Sequence, residues 1–437
     1  MNRARVAVIG GGWAGLAAAV RLTELGTPVT VFEASRAWGG RARRVEGVGG
    51  RPVLDNGQHI LIGAYTRTLD LMRTVGVQPE QVLKREPLDL RRPDGRGIAL
   101  SRLPSPWDAL LAIARAPGWT WGERIALLRR AGAWRSQGFR CEASATVADL
   151  CRGLPAPVMD TFIEPLCVSA LNLAAARASG TVFLRVLQDA LFSTSRGSDL
   201  LLPCTDLGAL MPDAAVAWLS ARGAALHLGQ RVQRMLPAAS AWRLDDEAFD
   251  AVVLATPAPE SARLVRGAAN ESGDPALRAW ADQAQALTHT AIATVYAEAT
   301  PDANGHVLPR PMVALASDKD RPAQFVFDRG RLGGPAGLLA FVVSDARGER
   351  TDLETRVLAQ GRAALDRPDL RALRTLVERR AAFACTPDVR RPAWQIAPRL
   401  LAAGDHVQGP YPATLEGAVR SGEAAAVAAD RVLRPAR

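Results

Sequence analysis

The first 35 residues alternate between short apolar runs and one helical pattern. Residues 6–9 are four consecutive apolar residues, as in a buried strand, and an Ala-rich helical periodicity follows from Leu16 to Leu25. A second apolar run, residues 28–32, ends at Glu33. Two strands separated by a helix of this length predict a βαβ unit, and therefore a parallel sheet near the N-terminus.

A glycine turn connects the first predicted strand to the helix. Gly10, Gly12 and Gly15 form the pattern Gly-x-Gly-x-x-Gly. The first glycine permits a tight turn, the second lets the backbone approach a pyrophosphate, and the third allows close packing of helix on strand. The helix N-terminus, which includes Trp13 and Ala14, then directs unpaired N–H groups at the anion. The turn therefore predicts a dinucleotide site.

The carboxylate that such a site needs stands at the end of the second strand. Glu33 lies roughly 20 residues beyond the turn and is followed by Ala34, so it is placed to hold the ribose hydroxyls of an adenosine. A glycine-rich turn without a ligand would not require an acid there. We therefore prefer the dinucleotide interpretation to this simpler one.

Two further stretches before residue 82 carry polar groups. A glycine pair ending at Gly40 is followed by Arg41. Such a loop can turn sharply and direct a guanidinium at a phosphate, although a solvated basic turn has the same pattern. Residues 54–65 then place a short polar run, residues 55–59, between apolar flanks.

Between about residues 83 and 196 the pattern changes to helices rich in tryptophan. Trp107, Trp119, Trp121 and Trp134 alternate with apolar faces and arginines. One interpretation is an amphipathic element on a membrane surface, with tryptophan at the interface and arginine at the headgroups. The other is a set of core helices of a substrate domain with snorkelling arginines. The pattern leaves both open.

From about residue 200 the chain returns to the alternating pattern of the N-terminus. The predicted elements are a helix at residues 207–221 and strands at residues 225–235, 249–257, 290–297, 324–327 and 338–343. The glycine-rich residues 330–337 join two of these strands and open no helix. We therefore interpret them as a hairpin connection rather than as a second phosphate loop.

The C-terminal segment holds a second candidate contact to a cofactor. Residues 399–406 predict a strand that leads into a turn at Gly404 and Asp405, and an Ala-rich helix begins near Leu415. Asp405 is placed to accept a hydrogen bond from a ribityl hydroxyl. The helix N-terminus is placed to direct N–H groups at the N1/O2 edge of a flavin, where negative charge develops on reduction.

The composition excludes some classes of partner. The 437 residues carry a formal net charge of +10, but the arginines are spread along the chain, without a basic tail or the aromatic interleaving that suits base stacking. We therefore expect no nucleic-acid partner. Five cysteines without a CxxC pair or a zinc-ligand spacing predict free thiols and no metal site.

The same sequence indicates where the protein resides. The glycine turn follows so closely on the N-terminus that it leaves no room for a signal peptide, and no run of 18 or more uncharged apolar residues occurs. We expect a cytoplasmic protein, which would be peripheral on the inner face of the cytoplasmic membrane if the tryptophan-rich helices touch lipid.

These motifs together resemble the FAD-dependent amine oxidase and phytoene desaturase superfamily. The resemblance rests on the glycine turn, the Gly40–Arg41 loop, the turn at residues 255–257, the Gly404–Asp405 turn and residues 416–418. It implies an α/β fold, in which a Rossmann-type FAD-binding domain (GR2-like, amine oxidase fold) carries an inserted α+β substrate-binding domain. The expected portions are residues 1–82, 198–260 and 393–437 for FAD binding, 83–197 for a helical substrate- or membrane-facing part, and 261–392 for a substrate-domain sheet with helices.

Three stretches resemble one branch of this superfamily, the hydroxysqualene dehydroxylases, also called squalene-associated FAD-dependent desaturases. They are residues 54–65, 162–172 and 198–203. The resemblance implies bound FAD, removal of the hydroxyl of hydroxysqualene to give squalene for hopanoid synthesis, and an electron donor that the sequence does not identify. Residues 203–206 depart from the Pro-x-Gly-Gly turn of many superfamily members.

The resemblance also implies contacts to FAD residue by residue. They are Gly10, Gly12, Trp13, Ala14 and Gly15 at the pyrophosphate, Glu33 and Ala34 at the adenosine ribose, Gly40 and Arg41 near the phosphates or ribose, Gly57, Gln58 and His59 at the flavin, Val232 at the adenine, and Gly404, Asp405, Leu415, Glu416 and Ala418 around the ribityl chain and ring. The assignment of Val232 assumes that it lies on the strand predicted at residues 225–235, which follows the helix predicted at residues 207–221.

Removal of an allylic hydroxyl needs an acid for the leaving group and a dry, apolar cavity. We consider His59 and Glu164 first. Glu164 precedes Pro165 in an apolar stretch, where burial would raise the pKa of its carboxyl. For each residue a structural hydrogen bond is the alternative interpretation.

Two other functions are weighed against this one. The first is a related desaturase or oxidase of a carotenoid precursor or an amine. Amine oxidases usually have an aromatic cage near the flavin. With 3 tyrosines in the chain and no aromatic pair by Gly404, the amine branch is disfavoured. The second is a non-catalytic prenyl-lipid carrier on the same fold. The C-terminal motif that would contact the flavin, at Gly404, Asp405 and residues 416–418, is intact, and this disfavours a carrier.

Overall fold

The computed structural model describes residues 4–47, 52–103, 106–190 and 196–434. The strands in these ranges are β1 Val6–Ile9, β2 Val29–Glu33, β3 Arg44–Val45, β4 Leu54–Asp55, β5 Leu61–Ile62, β6 Leu83–Glu86, β7 Leu200–Pro203, β8 Ala225–Leu228, β9 Met235–Ala238, β10 Ala241–Leu244, β11 Glu247–Phe249, β12 Ala251–Leu254, β13 His289–Glu298, β14 Met312–Ala314, β15 Phe325–Asp328, β16 Leu338–Ser344, β17 Arg371–Phe383, β18 Gln395–Ala397 and β19 Leu400–Ala402.

The helices in the same ranges are α1 Trp13–Glu24, α2 Thr66–Thr74, α3 Pro79–Val82, α4 Trp107–Arg115, α5 Trp121–Ser136, α6 Val147–Leu150, α7 Ala156–Val158, α8 Glu164–Leu171, α9 Gly180–Gln188, α10 Leu207–Leu210, α11 Pro212–Ser220, α12 Ala258–Ser272, α13 Pro275–Gln285, α14 Arg350–Leu365 and α15 Leu415–Leu433. A π-helical segment, Met159–Ile163, precedes α8, and a 3₁₀ turn covers Gly330–Leu332. None of these described helices combines the length and the apolar character that a membrane crossing needs.

The predicted parallel sheet is confirmed. Six strands pair in the order β18-β19-β12-β1-β2-β8, and all neighbours are parallel except β18 and β19. In β1, Val6 and Val8 belong to the core on one face, where α1, α11 and α15 pack. Ala7 and Ile9 belong to the core on the other face. This alternation follows from the two-residue period of a strand, and it explains why the apolar run is continuous.

The second face of this sheet is covered by β9–β11 and by α12 and α13. Residues of these two helices, such as Val265 and Trp280, share one core with Ile9 of the sheet. The sequence assigned residues from 261 onward to the substrate domain. The packing corrects this boundary, because the part attached to the six-stranded sheet extends to about residue 285. The other expected boundaries stay predictions.

Two predicted elements are shorter than expected. The strand predicted at residues 225–235 ends at Leu228, because Gly229 turns the chain with a φ of +76°. The assumption that Val232 lies on a strand is therefore wrong. The helix predicted at residues 207–221 breaks at Met211, since Pro212 removes an N–H donor and restricts the residue before it.

A second sheet carries the inserted part of the chain. Its five strands pair in the antiparallel order β14-β15-β16-β13-β17. β15 and β16 are antiparallel neighbours, which confirms the hairpin connection at residues 330–337. One face packs on α14. The other face shares a core with α4, α5, α8 and α9, so these helices lie over the sheet and enclose a cavity.

Candidate active site

The glycine turn between β1 and α1 has the geometry that its sequence predicts. Gly10 has a φ of +114°, and a Cβ atom on Gly15 would lie 1.8 Å from the Gly10 carbonyl oxygen. Helix α1 begins at Trp13, and its N-cap, Gly12, offers no side-chain hydrogen bond to the first turn. The first-turn N–H groups therefore remain available to an anion.

The loop of residues 39–41 lies beside this turn. The Gly39 N–H donates to the Gly11 carbonyl at 2.9 Å, and the Trp13 indole donates to the Ala42 carbonyl at 3.1 Å. A Cβ atom on Gly12 would meet Gly40 Cα at 3.7 Å. The two glycine backbones thus form the sides of a narrow cradle that a side chain would partly fill.

Glu33 stands at the end of β2, as predicted, and it orders the turn. Its carboxylate accepts hydrogen bonds from the Gly11 N–H at 2.6 Å and from the Ser35 N–H at 2.7 Å. The Glu33 carbonyl accepts from the Gln230 N–H at 2.9 Å, so the loop that contains buried Val232 lies alongside. Exposed Ala34 follows on the same edge. Glu33, Ala34 and the segment of Val232 therefore lie at one edge of the sheet, as expected, although Val232 lies on a loop and not on a strand.

An ion pair joins the N-terminal and C-terminal halves of this site. Arg41 Nη2 lies 2.5 Å from Asp405 Oδ1, and Arg41 Nη1 donates to the Ala381 carbonyl at 2.7 Å. Burial alone would raise the pKa of Asp405, but the Arg41 guanidinium outweighs it and holds that pKa below its usual range. Arg41 is therefore not a solvated basic turn residue. It brings a cation and a carboxylate together beside the glycine turn.

The N-terminus of α15 is built next to the Gly404–Asp405 turn. Thr414 caps the helix by accepting from the Gly417 N–H at 3.0 Å, and the Gly404 N–H donates to Ser421 Oγ at 2.8 Å. Leu415 and Ala418 lie in the first turn, as predicted.

Glu416 requires a correction. Its side chain is fully buried and turns away from the Gly404–Asp405 turn toward α2. The carboxylate accepts from the Thr68 N–H at 2.9 Å, from Thr68 Oγ1 at 2.7 Å and from the Arg67 N–H at 3.1 Å, and Arg420 Nε lies 2.6 Å away. Glu416 thus caps α2 and ties it to α15, which leaves only its backbone for a cofactor.

We expect Glu416→Gln to destabilise the protein by roughly 3 kcal/mol, because the substitution leaves Arg420 with an uncompensated charge beside a buried amide. Urea unfolding of the wild type and the variant measures this difference. Glu24→Gln is the matched control, since Glu24 pairs with Arg21 on an exposed helix face. Equal midpoints for Glu416→Gln and the wild type would contradict the capping role.

A buried polar cluster fixes the stretch of residues 55–59. The Tyr296 hydroxyl donates to the Asp55 carbonyl at 2.9 Å, and the Leu207 N–H donates to Asp55 Oδ1 at 2.8 Å. Arg329 links this cluster to the stretch, because its Nη1 donates to Gln58 Oε1 at 3.2 Å. Burial raises the pKa of Asp55 to about 6, despite opposing contributions from the Leu207 N–H and Arg329.

This raised pKa predicts a pH dependence of stability. The folded state binds the Asp55 proton more tightly than the unfolded chain, so the carboxyl weakens folding increasingly as pH rises from about 4 through 6. Asp55→Asn removes this dependence. We expect its free energy of unfolding, relative to the wild type, to rise by roughly 2 kcal/mol between pH 4 and pH 7. Denaturant unfolding at both pH values measures it, and a pH-independent difference would contradict the assignment.

A large apolar cavity adjoins the C-terminal part of the site. Its volume is about 740 Å³, which is in the upper part of the range of roughly 300–1,000 Å³ for small-molecule sites. The walls come from β5, from α4, α5, α8 and α9, and from the loop of residues 409–414 that leads into α15. The cavity therefore extends from the tryptophan-rich helices to the N-terminus of α15.

Neither sequence-predicted acid is among the described residues that line this cavity. Glu164 accepts a hydrogen bond from the Ala175 N–H at 3.1 Å, and burial raises its pKa. His59 Nδ1 lies 2.9 Å from the Gly57 carbonyl. Burial lowers the pKa of His59 and the Arg41 charge adds to this effect, so the ring is neutral near pH 7 with its proton directed at Gly57. The geometry thus favours the structural interpretation for both.

The cavity instead holds a cluster that the sequence interpretation missed. Tyr65 and Tyr411 form an edge-to-face pair, with ring centroids 6.4 Å apart and planes at 77°. The Tyr411 hydroxyl bonds the buried carboxylate of Asp189, which also accepts from Arg185 Nε at 2.7 Å. The Arg420 guanidinium lies 5.0 Å from the Tyr411 ring centroid. The sequence interpretation did not anticipate this aromatic pair, because the fold supplies Tyr65 from a distant part of the chain.

The backbone of the loop at residues 409–414 also marks Tyr411 as unusual. Tyr411 and Ala413 have φ values of 58° and 57°, which non-glycine residues rarely adopt. Arg391 holds the start of the loop by donating to the carbonyls of Val407 and Gly409. In the sequence, the two prolines that flank Tyr411 were the available sign of an unusual backbone at this position. A strained, well-anchored loop presents this ring to the cavity.

Comparison with known proteins identifies the family. The model of the family described as flavin containing amine oxidoreductase matches residues 13–429, which is nearly the whole chain. The chain belongs to this family. It is an FAD-dependent oxidoreductase, and its fold is the FAD-binding fold of amine oxidases. As an enzyme, it is not the non-catalytic carrier that was weighed above.

Individual relatives are similar over their full lengths. A hydroxysqualene dehydroxylase of Rhodopseudomonas palustris is 28% identical over 96% of this chain and 97% of its own length. A second protein of that name, from Zymomonas mobilis, is 26% identical over the same shares. The solved structure of an oxidoreductase from Methanosarcina mazei superposes with a TM-score of 0.72 at 17% identity, and covers 96% of this chain and 99% of its own.

Proposed function

We propose that this enzyme reductively removes the hydroxyl group of hydroxysqualene to give squalene, as a step of hopanoid or other triterpenoid synthesis. The observation that carries the proposal is the large apolar cavity, which holds a polar cluster of Asp189, Arg185 and Tyr411. An apolar isoprenoid alcohol needs this combination of apolar walls and a localised polar group. The names of the full-length relatives support the same substrate.

The residues around the glycine turn fit FAD. We propose that the pyrophosphate lies at the edge of the cradle formed by Gly12 and Gly40, facing the first-turn N–H groups of α1, because a Cβ atom on Gly40 would already come within 3.1 Å of Gly12 Cα. In this proposal Glu33, at the end of β2, contacts the ribose, and Asp405 and the α15 N-terminus contact the ribityl chain and the ring. We propose that Gly10, Gly12, Glu33, Arg41 and Asp405 make the main contacts. Reduced FAD, when bound, supplies a hydride.

The reaction exchanges a carbon–oxygen bond for a carbon–hydrogen bond. The substrate gains one hydride and one proton and releases water, so the carbon skeleton is reduced by two electrons. The chain must supply the proton to the departing hydroxyl and exclude water from the allylic carbon while that bond breaks. The apolar walls of the cavity perform the second task.

We assign the proton donation to Tyr411. Burial and the Asp189 carboxylate raise the pKa of its hydroxyl above the ordinary tyrosine value, so the hydroxyl is protonated at neutral pH. Its proton is donated to Asp189 in the resting site and turns to the departing hydroxyl when the carbon–oxygen bond breaks. Arg185 bonds both Asp189 and the Tyr411 oxygen, so it offsets the negative charge that develops when the proton leaves. Asp189 and Arg185 act as positioning residues, and the Tyr65 ring restricts the position of the Tyr411 ring.

The Tyr65–Tyr411 pair also favours a second candidate function, the oxidation of an amine. A panel of substrates under anaerobic conditions separates the two. We expect the dithionite-reduced enzyme to be reoxidised by hydroxysqualene, and the oxidised enzyme to keep its flavin spectrum with amines and polyenes. Bleaching of the oxidised flavin by an amine or a polyene, without reoxidation by hydroxysqualene, would replace the proposed reaction with the second one.

A further inference from the structure

Two neighbouring helices expose large apolar side chains to solvent. On α5, Trp121 is 70% exposed, and Ile125 and Leu128 follow on the same helical face. On α4, Trp107 is 65% exposed, and Leu110 follows one turn later. We call these five residues the apolar rim. Side chains of this size rarely remain exposed together unless they meet another surface.

The apolar rim is continuous with the cavity. Leu110 of α4 and Leu128 of α5 are both partly exposed and also line the cavity wall. Buried Ile113 and Leu127 line it from the same two helices. Both helices therefore contribute apolar residues to the cavity wall and to the exposed surface, whereas the two tryptophans of the apolar rim do not line the cavity.

The charge around the apolar rim is strongly positive. Residues 102–140 contain seven arginines and two carboxylates, and so contribute +5 of the formal net charge of +10. The arginines are Arg102, Arg115, Arg124, Arg129, Arg130, Arg135 and Arg140. One of the carboxylates, Asp108, is buried at the start of α4. Arg124 lies over the Trp121 ring, with its guanidinium carbon 4.8 Å from the centroid, an arrangement that suits a bilayer interface.

We propose that the apolar rim docks on the surface of an anionic lipid bilayer and that the substrate enters the cavity between α4 and α5, directly from the membrane. Tryptophan and leucine enter the headgroup region, and the arginines pair with anionic lipid phosphates. The entry route rests on the proposed function, since it assumes a substrate that dissolves in lipid. The docking itself does not depend on it.

Flotation of the flavin-loaded protein with vesicles tests the docking. We expect it to float with vesicles of phosphatidylcholine and phosphatidylglycerol, and more weakly with phosphatidylcholine alone or at high salt. A Trp107→Ser/Trp121→Ser variant should lose on the order of tenfold or more in vesicle affinity. Trp394→Ser is the matched control, because Trp394 is 41% exposed and lies outside the apolar rim, and it should float as the wild type does.

Turnover measurements separate the docking from the reaction. The Trp107→Ser/Trp121→Ser variant should reduce hydroxysqualene in detergent micelles at the wild-type rate and lose most of its rate with substrate embedded in vesicles. Wild-type protein that stays unbound with anionic vesicles, or a double variant that floats normally, would overturn the docking. The docking would also be overturned if the wild-type protein were a dimer in solution and the Trp107→Ser/Trp121→Ser variant a monomer, because the apolar rim would then be a contact between two copies of the chain. Normal flotation with no turnover in either medium would instead overturn the proposed function.

Discussion

Gly12→Ala is expected to yield a folded protein that has lost its flavin. The added Cβ atom meets nothing closer than Gly40 Cα at 3.7 Å, so the chain itself accommodates the methyl group. The same methyl group enters the cradle through which the backbone approaches a pyrophosphate. We expect the affinity for FAD to fall on the order of 100-fold. Flavin absorbance of the purified protein, followed by titration with FAD, measures the loss.

Two further glycine variants show whether this loss is specific. Gly15→Ala places a Cβ atom 1.8 Å from the Gly10 carbonyl, so it should lower both the stability and the flavin content. Gly267→Ala, in the exposed interior of α12 with open space around it, should retain the flavin and be as stable as the wild type or slightly more so. Normal flavin content in Gly12→Ala would place the pyrophosphate elsewhere.

Tyr411→Phe is expected to lower kcat by a factor on the order of 100 to 1,000 and to leave KM for hydroxysqualene nearly unchanged. The ring keeps its contacts with Tyr65 and Arg420, so only the hydroxyl bonded to Asp189 is lost. Rapid mixing of the reduced variant with hydroxysqualene, with flavin reoxidation as the signal, measures the chemical step directly.

Tyr65→Phe provides the comparison, since the Tyr65 hydroxyl bonds Thr414 rather than Asp189. We expect its kcat to change less than tenfold. His59→Ala and Glu164→Gln extend the series to the two acids that the sequence favoured. If either of these variants loses more activity than Tyr411→Phe while keeping its flavin, the assignment of the proton donor to Tyr411 is wrong.

The parts of the site that the sequence predicts are those built from adjacent residues. The turn from Gly10 to Gly15 and the carboxylate of Glu33 follow from local conformational requirements, which a pattern of glycines, apolar runs and one acid expresses fully. The hairpin at residues 330–337 is predicted for the same reason. The Gly404–Asp405 turn and the N-terminus of α15 are also local, and both lie where they are expected.

The parts that the sequence does not predict depend on contacts between distant segments. Tyr65, Asp189 and Tyr411 come from three separate regions, and only the fold brings them to one cavity. The charge of Arg41 helps keep His59 neutral, and the N-terminus of α2 turns Glu416 away from the Gly404–Asp405 turn. Residue type alone indicates that such side chains can carry chemistry, but burial and partners determine whether they do.

The most direct test of the account is the mass spectrum of the hydrocarbon formed in one anaerobic turnover in D₂O. The flavin is reduced in D₂O beforehand, so that its transferable hydrogen is deuterium. The account predicts squalene with one deuterium atom, in an amount equal to the flavin reoxidised. Unchanged hydroxysqualene beside flavin that stays reduced, or flavin reoxidation without squalene, would contradict it.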